Sequence, residues 1–208
     1  MKAEQLPKTV SEYVFFLCPR FPFIPLSGAI EVLSAANEVL GYDHYSWTFA
    51  SHDGSEVIAA NGIPTSVDMS LNQLRKATKT ISRPKSILVC SGVGVEAFET
   101  PALLAGLREF VRAGIVVGGI STGAYLLAAA KLLENRECVV HWEILPKFQH
   151  RFTNVNVSSE LFRIDSKFCT CAGGLSAIDM MMNIISSEHQ ASQIDAISEL
   201  LILGDIRL

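Results

Sequence analysis

The 208-residue sequence is short of several things, and each shortage closes off a class of function. Only 18% of its residues are charged, they are scattered, and the net charge is −4. Without a basic run or stripe, these residues are not expected to grip a nucleic-acid backbone themselves. No stretch reaches the roughly 18 uninterrupted apolar residues that cross a bilayer, and the opening MKAEQLPKTVSEY lacks a signal peptide's apolar segment. A cytoplasmic location with no membrane partner is therefore expected. The sequence has no CxxC: its cysteines are Cys18, Cys90, Cys138, Cys169 and Cys171, and the close pair is Cys169-Thr170-Cys171. Strand alternation would turn that pair's thiols to one face, but no second pair and no histidine cluster accompanies it. Neither a metal nor a cofactor is expected, and an odd number of cysteines, three of them in apolar runs, reads as buried, reduced thiols. Internal repeats and low-complexity linkers are missing too, so one domain accounts for the chain.

What is present is an α/β pattern, 49% hydrophobic, enough for a sizeable core. Residues 13–18 (YVFFLC), 45–50 (YSWTFA), 86–90 (SILVC) and 115–118 read as strands, with shorter ones at 155–157, 161–164 and 168–171. Residues 56–60 read as a returning strand before the Asn61-Gly62 turn. Pro19, Pro22 and Pro25 predict a stiff loop, followed by a helix from Leu26 that Gly41 stops. Residues 70–85 suggest a surface helix and loop, 101–111 an amphipathic helix, 142–152 another, and Gly173-Gly174 opens one with Leu175, Ile178, Met182 and Ile185 on one stripe. A last helical pattern spans 191–203. Strands and helices alternating across glycine-rich junctions predict a mainly parallel sheet covered on both faces, a flavodoxin-like three-layer α/β/α sandwich.

The densest signal is GGISTGAYLLAAAKLLENRECVVHWE, from Gly118 to Glu143. A β-branched run meets glycines, then Ser121-Thr122, then helix-forming sequence, and His141 follows 20 residues after Ser121. A residue at such a strand-to-helix elbow sits at the carboxyl edge of the sheet, where open α/β folds place ligands. The helix start behind it offers free N–H groups and partial positive charge to a carboxylate or an oxyanion. For Ser121 to attack anything it needs a base, which His141 supplies by position, with Glu143 or Glu31 to orient it. The chain order departs from that of the α/β-hydrolases, and Gly-Ile-Ser-Thr-Gly matches G-x-S-x-G only as a short pattern.

The same segment resembles the elbow-to-histidine region of the ThiJ/PfpI superfamily, related to class I glutamine amidotransferases. The resemblance is closest to the N-terminal domain of GlxA-like, AraC-type transcriptional regulators and extends over nearly the whole chain. It rests on SGAIEVLSAAN (Ser27 to Asn37), YSWTFASHDGSEVIAANGIP (Tyr45 to Pro64), LVCSGVGVEAF (Leu88 to Phe98), GISTGAYLLAAAKLL, HWE and TCAGGLSAIDMMMNII (Thr170 to Ile185). In that superfamily the elbow carries a Cys; here it is Ser121, so a low-pKa thiolate cannot form there. A supporting Glu found in enzymatic members falls near Pro25, which cannot hydrogen-bond a nucleophile.

The resemblance implies a tail over 1–11, a ligand-sensing domain over 12–190, and a C-terminal helix or linker over 191–208. That last segment would lead toward a helix-turn-helix domain not in this chain, and DNA would be contacted only there. The implied pocket is walled by Pro25 and Glu31, the Asn61-Gly62 turn, Gly92 and Val93, the elbow residues Ser121 and Thr122, and His141-Trp142-Glu143. Its mixture of N–H groups, an aromatic face and carboxylates suits a small zwitterion, an amino acid or a betaine- or carnitine-like quaternary amine. Paired regulators meet paired half-sites, so a homodimer is expected. The competing expectation is a superfamily enzyme, a hydrolase or an isonitrile-hydratase-like hydro-lyase using Ser121 and His141.

Overall fold

A computed structural model describes residues 10–79 and 83–204. In chain order the elements are β1 (Ser11–Leu17), α1 (Phe23–Leu40), β2 (Tyr45–Ser51), β3 (Val57–Ile58), β4 (Pro64–Thr65), β5 (Met69–Ser70), α2 (Leu71–Ala77), β6 (Ser86–Ser91), α3 (Pro101–Arg112), β7 (Val116–Ser121) and α4 (Ala124–Ala129). They continue with β8 (Glu137–Cys138), α5 (Leu145–Arg151), β9 (Asn156–Val157), β10 (Phe162–Ile164), β11 (Phe168–Cys171), α6 (Ser176–Ser186) and α7 (Ala191–Leu200). Seven strands form one sheet in the order β10-β11-β7-β6-β1-β2-β5, parallel except for β10 against β11. The three-layer sandwich expected from the sequence is present.

The strands are buried on both faces, so their two side-chain sets feed two cores. Val14, Phe16, Ile87, Val89 and Val117 meet α2, α3, α4 and α5 on one side. Phe15, Leu17, Leu88, Cys90 and Ile120 meet α1, α6 and α7 on the other, together with both Cys169 and Cys171, as alternation requires. All five cysteines are free and buried. Helix α1 has the length and apolarity of a membrane span, yet Leu26, Ala29, Val32, Leu33 and Ala36 on it are buried in the second core.

Among the boundaries that differ from the sequence reading, two concern the first strand and the first helix. The proline-rich loop is shorter than expected: α1 begins at Phe23, with Pro22 as its N-cap and Pro25 inside its first turn. The first-turn N–H groups have no intrahelical partner, so proline's missing N–H costs nothing there. Strand β1 starts at Ser11, inside the stretch read as a tail, and the rest of that tail through residue 9 lies outside the described residues. The Asn61-Gly62 turn joins β3 to β4 as an antiparallel pair, and Asn61 Oδ1 accepts the Ile63 N–H at 3.1 Å. Helix α7 is part of the body rather than an appendage, burying Ile194 and Ile197 in the second core; residues 205–208 of the expected linker lie outside the described ones.

Burial pushes the thiols of Cys18, Cys138 and Cys169 up to about 12, so at pH 8 only about one in ten thousand of each is the reactive thiolate. A disulfide thiol reagent should therefore label the native protein slowly and release all five thiols promptly in denaturant. A thiol that reacts fast in the native state would show that its strand is not packed as described.

Candidate functional site

The elbow is formed where β7 runs into α4. Ser121 closes the strand with φ 62°, a left-handed conformation that L side chains resist, and only 4% of its surface is exposed. Its neighbours leave the chain little alternative. A Cβ on Gly123 would lie 2.1 Å from the Val89 carbonyl oxygen, so only glycine lets the turn press this closely on β6. The turn is held by Gly123 N–H to Ile120 O at 3.0 Å and Tyr125 N–H to Thr122 O at 2.9 Å. The His141 N–H donates to Ser121 O at 3.1 Å, which ties the histidine to the elbow across 20 residues.

A cleft of about 130 Å³ opens at this edge, lined by Arg20, Pro22, Ala60, Gly92, Val93, Ser121, Thr122, His141 and Glu143. The structure thus brings together six of the residues singled out from the sequence: Gly92, Val93, Ser121, Thr122, His141 and Glu143. Asn61 stands one residue beyond the lining, in the turn after Ala60. Trp142 is not among the lining residues; it is 75% exposed, its ring 5.5 Å from that of His141 and tilted by 33°. Glu31 is exposed on α1 and Pro25 is buried in that helix's first turn; neither lines the cleft.

Hydrogen bonds decide what each group can offer. Thr122 is 1% exposed; its hydroxyl donates to Gly92 O at 2.8 Å and so accepts from the Ser91 hydroxyl, also at 2.8 Å. Its N–H turns to Ser91 O at 3.4 Å. Thr122 therefore knits β6 to the elbow. His141 Nδ1 accepts the Glu143 N–H at 3.3 Å, which assigns the ring proton to Nε2 and makes that nitrogen a donor rather than a base. Glu143 Oε2 stands 3.9 Å from Nδ1. Beneath the elbow, burial pushes the Cys171 thiol up, partly offset by the facing N–H groups of Gly173 and Ser121; with 0% exposure it is sealed from the cleft.

Sequence reading missed Arg20. It lies in the CPRFPF loop at φ 64°, where its N–H donates to Ile58 O at 2.8 Å, and its carbonyl is so close to Gly92 that a Cβ there would sit 2.2 Å from it. Arg20 makes no ion pair among the described residues and is one of the cleft's lining residues. The available signal was an arginine isolated among prolines at a strand's carboxyl end. A larger cavity, about 350 Å³, lies under the ends of β1 and β2 between Phe16, Cys18, Val57, Phe98 and Leu103, with His52, Asp53 and Glu56 also lining it. It contains no lysine or arginine and no strained residue, so the elbow cleft is the better candidate.

Comparisons with known proteins place the fold in a family. The model of the DJ-1/PfpI family matches residues 19–187. The HTH-type transcriptional regulator CdhR of Pseudomonas aeruginosa is 36% identical over 196 residues, covering 94% of this chain and 56% of the relative. The HTH-type transcriptional regulator GlxA of Rhizobium meliloti is 32% identical over 187 residues, 89% of this chain and 56% of the relative. The chain thus spans about half the length of the curated relatives it matches. Among solved structures, an AraC family transcriptional regulator from Pseudomonas putida superposes with a TM-score of 0.80 at 22% identity, covering 92% of this chain and 99% of that one.

The strain at residue 121 has a measurable consequence. Ser121→Gly should be as stable as the parent or up to about 1 kcal/mol more so, raising Tm by about 2–4 °C, because glycine accepts the left-handed backbone. Ser121→Val, β-branched, should lose about 2 kcal/mol or more. Thermal denaturation followed by circular dichroism reads both, and the opposite order would contradict the assigned geometry.

Proposed function

The chain belongs to the DJ-1/PfpI family, and on that premise we propose that it is the sensor domain of an AraC-type transcriptional regulator, binding a small zwitterionic metabolite at the elbow without turning it over. The observation that carries this reading is the make-up of the cleft: about 130 Å³, with Arg20 and Glu143 among its lining residues. That volume is well below the roughly 300 Å³ at which pockets for drug-sized ligands begin, which favours an amino acid or a short betaine over a nucleotide. The effector's carboxylate is received by Arg20, the Nε2–H of His141 and the amides at Gly92 and Val93. Its cationic end is received by Glu143 and by the exposed face of Trp142, an attraction of about 0.5–2 kcal/mol. Ser121 contributes a hydrogen bond.

Support for binding without chemistry comes from three sides. A serine hydroxyl needs a base, and the assigned tautomer of His141 presents a proton instead. The residues that would sharpen a nucleophile, an elbow Cys and a Glu near residue 25, are Ser121 and Pro25. Relatives of more than 30% identity carry the names of transcriptional regulators. The strained elbow itself favours the other reading, a hydrolase or hydro-lyase, because such turns also display nucleophiles.

Regulation requires the effector to bind one arrangement of the protein better than another. Gly173, which lies against Ser121, leads into α6 and then α7, so a guest pressing on the elbow acts at the root of the last helices. In the proposed cytoplasmic homodimer these pass the signal to a DNA-binding domain outside this chain, whose paired copies meet paired half-sites.

Thermal-shift titration with amino acids and quaternary-ammonium carboxylates tests the reading. An effector at 100 times its Kd adds about 2.7 kcal/mol, a rise of about 5–10 °C for a chain this size. Arg20→Ala should weaken that effector's binding about 10- to 100-fold, the range of a lost charge-assisted hydrogen bond. A silent panel, or an affinity indifferent to Arg20, would refute the assignment.

A further inference from the structure

The amino edge of the sheet, opposite the elbow, holds a second convergence of polar side chains that the cleft does not involve. His44 immediately precedes β2, while Glu188 and His189 form the turn between α6 and α7. One potential ligand atom from each of the three lies within 4.8 Å of the others. We infer that His44, His189 and Glu188 form a binding site for a single zinc-class divalent ion, built on geometry that does not depend on the functional reading above.

The cluster is held in place from several directions. Asn37 of α1 fixes the approach to β2: its Oδ1 accepts the N–H groups of His44 at 2.9 Å and Tyr45 at 2.8 Å, and its Nδ2 donates to Tyr45 O at 2.8 Å. The Glu188 N–H donates to Ile185 O at 2.9 Å, which sets the α6–α7 turn. Tyr45 stands between the two histidines, edge-on to the rings of His44 at 4.6 Å and His189 at 5.8 Å, and the two imidazoles are themselves 5.5 Å apart.

The hydrogen-bond pattern suits a metal. The Tyr45 hydroxyl lies within hydrogen-bond reach of both Glu188 and His189. It donates to Glu188 Oε2 at 3.1 Å and therefore accepts from His189 Nε2, 2.7 Å away. That assigns the proton of His189 to Nε2 and leaves the Nδ1 lone pair for a cation, the outer-partner arrangement usual for metal-binding imidazoles. Two histidines and a carboxylate with one open position is a familiar zinc set. Donors around a tetrahedral zinc are about 3.4 Å apart, so the three side chains must draw in by about 1 Å. Lys85 already pairs with Glu188 Oε1; a metal on the other carboxylate oxygen leaves that pair intact, and the nearby ammonium moderates its affinity. An ion here would staple the root of α7 to the start of β2, reinforcing the packing of Ile194 and Ile197 on the second core.

The test is calorimetric titration of chelator-treated protein with Zn²⁺, for the parent and for His44→Gln and His189→Gln, with each variant's fold checked by circular dichroism. One ion per chain is expected, bound at least ten-fold more weakly by each variant. Binding absent from the parent, or surviving either substitution, would overturn the site. Should a variant fail to fold, Co²⁺ added to the parent decides: visible d–d bands without thiolate charge-transfer absorption support nitrogen and oxygen ligands, whereas thiolate bands or no bands would overturn the assignment.

Discussion

The close approach of β7, α4 and β6 at Gly123 is the constraint on which the site depends. There is no room for a Cβ beside the Val89 carbonyl, and the turn by which the chain leaves β7 places Ser121 at φ 62°. The left-handed residue lifts its side chain to the carboxyl edge, and the same turn presents Ser121 O to the N–H of His141. Position of the hydroxyl, position of the histidine and opening of the cleft are thus one packing event seen from three sides. Strain of about 1–3 kcal/mol at such a residue is sustained because the two cores over-determine the strands on either side.

Holding a group in place and making it reactive are separable, and the proposed function turns on that separation. The elbow brings a hydroxyl and an imidazole to one cleft, but the imidazole spends its Nδ1 on the amide of Glu143, and the buried thiol of Cys171 lies out of reach beneath. Arg20 and Glu143, among the residues lining the cleft, are of types that recognise charge, which is the basis of the proposed binding role. Thr122 and Ser91 serve the framework: their hydroxyls, 2.8 Å apart, join the ends of β6 and β7.

The sheet was legible in the sequence because its inner strands are fully buried. Segments such as YVFFLC and SILVC are short, continuous and apolar, and nothing but a covered strand suits them. The start of α1 was not legible, since three prolines read as breakers until the first turn's lack of N–H partners is taken into account. Ser121, Thr122, His141 and Glu143 of the cleft could be found from the elbow segment, which holds all four within one stretch. Arg20 left only the faint signal of an arginine isolated among prolines, because its place there follows from a positive φ and from the approach of its carbonyl to Gly92. The trio of His44, Glu188 and His189 escaped for a related reason: only the topology, which returns the α6–α7 turn to the amino end of β2, makes a cluster of residues so distant in the chain.

The central claim is that the elbow of this chain grips a guest and does not attack it. Intact-protein mass spectrometry after exposure to a hydroxyl-directed phosphonate electrophile addresses it most directly, with a serine hydrolase as positive control. An unmodified mass, with the control fully labelled, is the predicted result. An adduct mapped to Ser121 and abolished by Ser121→Ala would contradict it and make this residue a nucleophile.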